Sequence, residues 1–129
     1  MKKLTVIGLA LIGLSSGAAA MEDLKAPSEQ SALVCFIDFR VGLAIGRNEE
    51  EIGSKGPCRY TIDKKVFRSM LLPRKDSEFY QKSNVRAKII YSPTEVYFID
   101  ANGVVRFGDH KFVVNKDEFT KYVKDIHGK

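Results

Sequence analysis

The apolar positions of this chain fall into three regimes: a continuous block at the start, a polar arm, and a remainder in which periods of two and of three to four alternate. Lys2 and Lys3 precede an apolar run over 4–14, Ser15, Ser16 and Gly17 break it, and Ala18, Ala19 and Ala20 follow. A positive start, a short apolar middle and a small-residue end predict a secretory signal peptide cleaved after Ala20. Eleven apolar residues reach across only about half of a bilayer core, which needs roughly twenty, so the block reads as a removed signal rather than an anchor. Met21 stands after the cleavage site and the first cysteine is Cys35, so no lipid anchor is expected there. The expected compartment is the periplasm.

Residues 21–30 are polar, contain Pro27 and show no period, which predicts a flexible arm ahead of a single domain over 31–129. Cys35, Ile37, Phe39, Val41, Leu43 and Ile45 alternate with Asp38, Arg40 and Gly42, predicting a strand over 33–44. The same stretch also fits a helical face through Leu33, Phe36, Ile37, Val41 and Ala44, with Ser28 as its cap. Composition predicts a loop over 47–57. Ile62, Val66, Phe67, Met70 and Leu71 recur at helical spacing until Pro73, so a short helix is expected over 63–72. Residues 74–84 are polar, with one turn of helix started by Asp76 or Ser77.

The C-terminal third carries the clearest pattern. Val85, Ala87, Ile89 and Tyr91 alternate with Arg86 and Lys88, a more apolar strand follows over 95–100, and Asn102-Gly103 leads into a third over 104–107. Both turn residues tolerate positive φ, as a type I′ hairpin requires. After a Gly108-Asp109 turn come Phe112, Val113 and Val114. Asn115 then caps a helix over 116–127, with Glu118 placed to complete a capping box and Phe119, Tyr122, Val123 and Ile126 on one face. The expected fold class is α+β: a small, mainly antiparallel sheet with a packed C-terminal helix.

Charge and cysteines sharpen the picture. Removing the signal leaves 109 residues with a net charge of +3, and 55–88 holds ten Lys or Arg against three acids. Within that stretch Arg68, Arg74, Lys75, Lys82, Arg86 and Lys88 are the candidate binding residues for an acidic partner; a plain solvated face is the competing reading. Nucleic acid is not expected, because the protein is exported and the basic residues lack interleaved aromatics. Cys35 and Cys58 are the two cysteines, and an oxidising compartment favours a disulfide between them; a free thiol at one of them is the alternative. Two cysteines and two distant histidines make no zinc site, and Glu49, Glu50 and Glu51 lack the spaced ligands of a calcium loop. No metal or cofactor is expected. Asp109 and His110 with a thiol at Cys58 are the one catalytic set that can be drawn, but adjacent residues in a turn orient an imidazole poorly, and His127 reads as a favourable charge near a helix end. Asp38, among Phe36, Ile37 and Phe39, reads as the outward face of an edge strand.

Several short segments resemble the thioredoxin-like superfamily. Phe36-Ile37-Asp38-Phe39 is similar to the strand entering that family's redox site. Gly56-Pro57-Cys58, preceded by Lys55, resembles its Cys-Gly-Pro-Cys turn with the first cysteine replaced, and Ser92-Pro93-Thr94 resembles its cis-proline loop. The resemblance implies a degenerate thioredoxin-like fold. It also implies that dithiol exchange through that turn is unavailable, because the attacking thiolate is missing.

Two function classes follow. The first is an exported binding or accessory protein without catalysis of its own. It acts on another envelope or incoming protein, in assembly or secretion or as an immunity or inhibitor protein, through a sheet edge or the basic segment. The second is a degenerate thioredoxin-like oxidoreductase or disulfide chaperone using a single thiol at Cys58. Neither involves stable membrane insertion, and the sequence leaves the oligomeric state open.

Overall fold

The computed structural model describes residues 27–42, 45–54 and 58–126. The signal segment 1–20, most of the arm, Leu43, Ala44, Lys55, Gly56, Pro57 and His127 lie outside the described residues. No helix among the described residues is long and apolar enough to cross a membrane.

Seven strands form one sheet: β1 (Ser31–Phe36), β2 (Tyr60–Asp63), β3 (Val85–Ser92), β4 (Glu95–Asp100), β5 (Val104–Phe107), β6 (His110–Val113) and β7 (Lys124–Asp125). Their order is β6-β5-β4-β3-β1-β2-β7, and every pairing is antiparallel. Among the described residues three helices interrupt them: α1 (Glu49–Ser54), α2 (Lys64–Met70) and α3 (Lys116–Tyr122). The α+β class and the antiparallel sheet match expectation.

Alternation along the strands splits the interior into two layers. Val34 and Phe36 of β1 face a large cluster that also takes Phe67 of α2 and Phe119 of α3, while Cys35, pointing the other way, joins Ile52 of α1 and Val85. Successive side chains on one strand thus serve opposite faces, and helices cover both. Asp100, fully buried at the end of β4, accepts hydrogen bonds from the backbone N–H groups of Gln81, Asn102 and Val104 at 2.8–2.9 Å. A buried carboxylate is tolerated here because three donors replace its water.

Several expected boundaries move. The first strand ends at Phe36, not at 44, and it lies in the centre of the sheet between β2 and β3, so Asp38 is not on an edge strand. The cause is Asp38 itself. Its Oδ1 accepts from the Arg40 N–H at 2.9 Å and from Arg40 Nε at 3.0 Å, an Asx turn that competes with the ladder and bends the chain. Beyond it Val41 and Ile45 are exposed rather than core-facing. The helical alternative also fails: Ser28 Oγ receives the Gln30 and Ser31 N–H groups in a turn that leads straight into β1.

The expected loop over 47–57 contains α1, started by a reciprocal cap. Asn48 Oδ1 accepts from the Glu51 N–H at 2.8 Å and Glu51 Oε1 accepts from the Asn48 N–H at 3.0 Å, a capping box with asparagine in the serine position. The second helix runs over 64–70 rather than 63–72: Asp63 ends β2 and caps α2 through Val66 N–H, and Leu71 forms the C-cap. Residues 75–77 form no helical turn but run beside β6, with Asp76 opposite Phe112.

The hairpin at 100–104 closes differently from a two-residue turn. Gly103 N–H donates to Asp100 C=O, and Gly103 then takes a φ of 84°, the three-residue form with a left-handed glycine. The last helix stops at Tyr122 instead of 127, because 124–125 return to the sheet against β2 and the Ile126 N–H donates to Arg59 C=O. Phe119 is buried as expected. Ile126 is not on a helix, and Tyr122 is partly exposed.

Candidate functional site

The residues of the basic segment do not share one surface. Arg68 and Arg74 meet over a groove between α2 and the β4–β6 end of the sheet, with Lys75 next along the chain. Lys82 lines a cleft that α1 helps to wall, and Lys88 lies against Gly53 of α1. Arg86 is only 5 % exposed. Its Nη1 donates to Asp38 C=O at 2.8 Å and its Nε to Asn84 at 3.2 Å, so this guanidinium holds the fold rather than meeting a partner. Alternation along β3 puts Lys88 on the α1 face, away from the groove.

The groove has a volume of about 190 Å³ and an apolar floor of Leu71, Tyr97, Phe107 and Phe112. Tyr97 and Phe107 stack at 4.6 Å, fixing the floor. Leu72 stands at the rim, 66 % exposed. Two guanidiniums flank the floor, each laid on a ring: Arg68 lies 4.7 Å from the Tyr91 centroid and Arg74 5.2 Å from that of Phe112. Lys64 adds a third cation over Tyr91 at 4.8 Å.

Hydrogen bonds hold both arginines. Arg68 Nε donates to Tyr91 Oη at 3.1 Å and Nη2 to Glu95 at 3.1 Å, while Tyr97 Oη donates to the same Glu95 carboxylate. Burial, reinforced by the Glu95 charge, holds Tyr97 protonated well above the usual tyrosine range. Arg74 Nε donates to Asp76 at 3.1 Å and Nη2 to His110 Nδ1 at 2.8 Å. Arginine has no acceptor, so in this contact His110 Nδ1 is the accepting atom. Both guanidiniums keep Nη1 without a protein partner among the described residues.

The cleft on the other side is larger, about 770 Å³, and lies between α1, Tyr80, Lys82, Arg106 and Lys111. Its wall is a closed ionic latch. Glu49 accepts from Arg106 Nη2 at 2.7 Å and Nε at 2.5 Å and from Tyr80 Oη at 2.8 Å, while Arg106 Nη1 donates to Gly108 C=O. All three nitrogens of Arg106 are thus used within the protein. Burial raises the Glu49 pKa, but the hydrogen bonds from Arg106 and Tyr80 and the charges of Arg106 and Lys82 outweigh it and hold the carboxyl below its ordinary 4.5. Glu49 and Glu51 are therefore built into the fold, Glu51 as the cap partner of Asn48, rather than forming a solvated acidic run.

That depressed pKa predicts a pH signature. The latch contributes stability that is present above 4.5, where the unfolded glutamate is ionised, and is lost as pH falls through the lower folded value. Glu49→Gln should cost about 1–2 kcal/mol at neutral pH. In thermal melts the gap between wild type and variant should close on acidification below 4.5, while Arg106 stays charged throughout.

Asp38 shows the same direction more strongly: the Arg40 side-chain and backbone hydrogen bonds lower its pKa to about 2, with Arg86 nearby adding to the effect. Cys35 and Cys58 are joined in a disulfide. Cys58 lies in the segment entering β2, and α2 begins only at Lys64. His110 faces Arg74, not a thiol. Pro93 occupies the tight turn joining β3 to β4, where Ser92 pairs with Glu95; Leu72–Pro73 is a cis peptide bond. Among the described residues no three His, Cys, Asp or Glu side chains gather as a metal site.

No family model, curated protein or solved structure shows significant similarity to this chain.

The sheet edges matter for the expected mode of contact. β6 is flanked by 75–77: Ser77 N–H donates to Lys111 C=O at 2.9 Å and Val113 N–H to Lys75 C=O at 2.8 Å. The opposite edge is the two-residue β7. Short or covered edges of this kind resist strand addition. The groove was legible in part: Arg68 and Arg74 were candidates, but its aromatic floor comes from strands that sequence spacing does not bring together.

Proposed function

We propose that this protein is an exported binding or accessory protein, without catalysis of its own, that holds an acidic segment of another envelope protein against the α2 and β4–β6 face. The observation that carries this reading is the groove: an apolar floor between two ring-stacked arginines with hydrogen-bonding capacity to spare. A partner in secretion or surface assembly, or an incoming toxin or hydrolase, presents the required chemistry equally well. The signal segment supports periplasmic delivery, and the intact mass of protein from the periplasm should begin at Met21.

The test is capture from periplasmic extract with the mature domain as bait. Wild type should retain a partner that salt releases, and Arg68→Gln with Arg74→Gln should lose it. Retention undiminished in that double variant would overturn the reading. A degenerate thioredoxin-like protein acting through one thiol is the competing proposal, supported by the strand at Phe36 and the Cys58 segment. It requires Cys58 to alkylate in native, unreduced protein.

A further inference from the structure

We infer that the groove recognises a peptide segment in which one large apolar side chain is flanked by carboxylates, the apolar group seated on Tyr97, Phe107 and Phe112 and the carboxylates taken by Arg68 and Arg74. This rests on the binding role proposed above and names the chemistry of the ligand.

Size decides the kind of occupant. Small-molecule sites are usually clefts of about 300–1,000 Å³, whereas the groove measures about 190 Å³. It has room for one side chain of a larger partner, the anchor arrangement of protein interfaces. The floor excludes a purely ionic occupant, because a charge seated on Tyr97, Phe107 and Phe112 loses hydration without a hydrogen-bond partner. Exposed Leu72 extends that apolar surface outward.

Charge decides what surrounds the anchor. Arg68 and Arg74 line the groove, each paired with one carboxylate, Glu95 and Asp76, and Lys64 over the same Tyr91 ring as Arg68 leaves this surface with one cation in excess. Both arginines are already fixed by a ring below and by hydrogen bonds at Nε and Nη2, so little rotamer entropy remains to be lost on binding. The Nη1 of each retains its donors for an incoming carboxylate. Exchanging an exposed internal partner costs little, since Asp76 is 79 % exposed and solvent screens such surface pairs. The Arg106 latch on the opposite face has no such capacity, because Nε, Nη1 and Nη2 are all engaged.

The experiment uses fluorescence anisotropy with a labelled heptapeptide carrying a central leucine between aspartates. Two control peptides replace the leucine by alanine or the aspartates by asparagines. Wild-type protein should bind the first peptide and bind each control about tenfold or more weakly. Arg68→Gln and Arg74→Gln should each weaken the first peptide by a similar factor and leave the asparagine control unchanged. Leu72→Ser, at an exposed position that does not threaten folding, should weaken the leucine peptide and spare the alanine one.

Equal binding of the leucine and alanine peptides would overturn the inference, as would arginine variants that bind like wild type. A concentration-dependent dimer abolished by Leu72→Ser would overturn it too, by assigning the groove to a second copy. Failure of all peptides, with extract capture still lost in the double arginine variant, would sink this ligand assignment and leave the broader reading standing. Capture unaffected by that variant would sink both.

Discussion

Phe119→Ala should lower the stability of the folded domain by about 3–5 kcal/mol, measured as a shift of the urea midpoint at unchanged slope. Phe119 is fully buried, and its ring makes edge contacts with Phe36, Phe39 and Phe67 at centroid distances of 5.5, 6.2 and 6.4 Å. These partners come from β1, from the turn after it and from α2, so a single truncation empties the point where the sheet meets both helices on that face. The cavity cannot close easily, because β1 is a central strand held on both sides. Tyr122→Ala, on the same helix but 37 % exposed, should cost under about 1 kcal/mol. Equal losses from the two would mean that α3 docks in another orientation.

Replacing Cys35 and Cys58 together by serine should cost about 2–5 kcal/mol. The bridge spans a sequence separation of 23 and ties central strand β1 to the segment entering β2. The chain-entropy account of such a loop gives roughly 3 kcal/mol, and the buried position of Cys35 beside Ile52 and Val85 adds the cost of placing a serine hydroxyl among apolar groups. Partner binding should survive under conditions where the variant stays folded, because the groove is on the opposite face of the sheet. Alkylation with mass detection separates the function classes: both thiols should label only after reduction and unfolding. Stoichiometric labelling of Cys58 in native, unreduced protein would replace the structural bridge with the one-thiol proposal.

Local signals in the chain determined a good deal. The period of two over 85–91, the more apolar strand over 95–100, the hairpin at Asn102-Gly103 though not its turn type, the Asn115 cap and the buried Phe119 were all readable, because each depends on residues close together in sequence. The disulfide was readable from the cysteine count and the expected compartment. α1 was also within reach: Asn48 and Glu51 have cap spacing, but a run of glutamates between loop residues hid it.

Tertiary structure decided the rest. The alternation after Phe36 promised a long strand, yet the Asp38–Arg40 turn ended it, a contest between a side chain and a ladder partner that local pattern does not rank. β7 forms from Lys124 and Asp125, which have no strand preference, because the exposed edge of β2 is there to receive them. The ten basic residues over 55–88 looked continuous, but the strand they cross sends Arg86 into the interior and Lys88 to the α1 face, leaving Arg68 and Arg74 at the groove. Residue types and short-range periods set what each segment can form. Which faces meet, and so which charges surround the same apolar floor, depends on contacts between residues tens of positions apart, and these are selected only when the whole sheet packs.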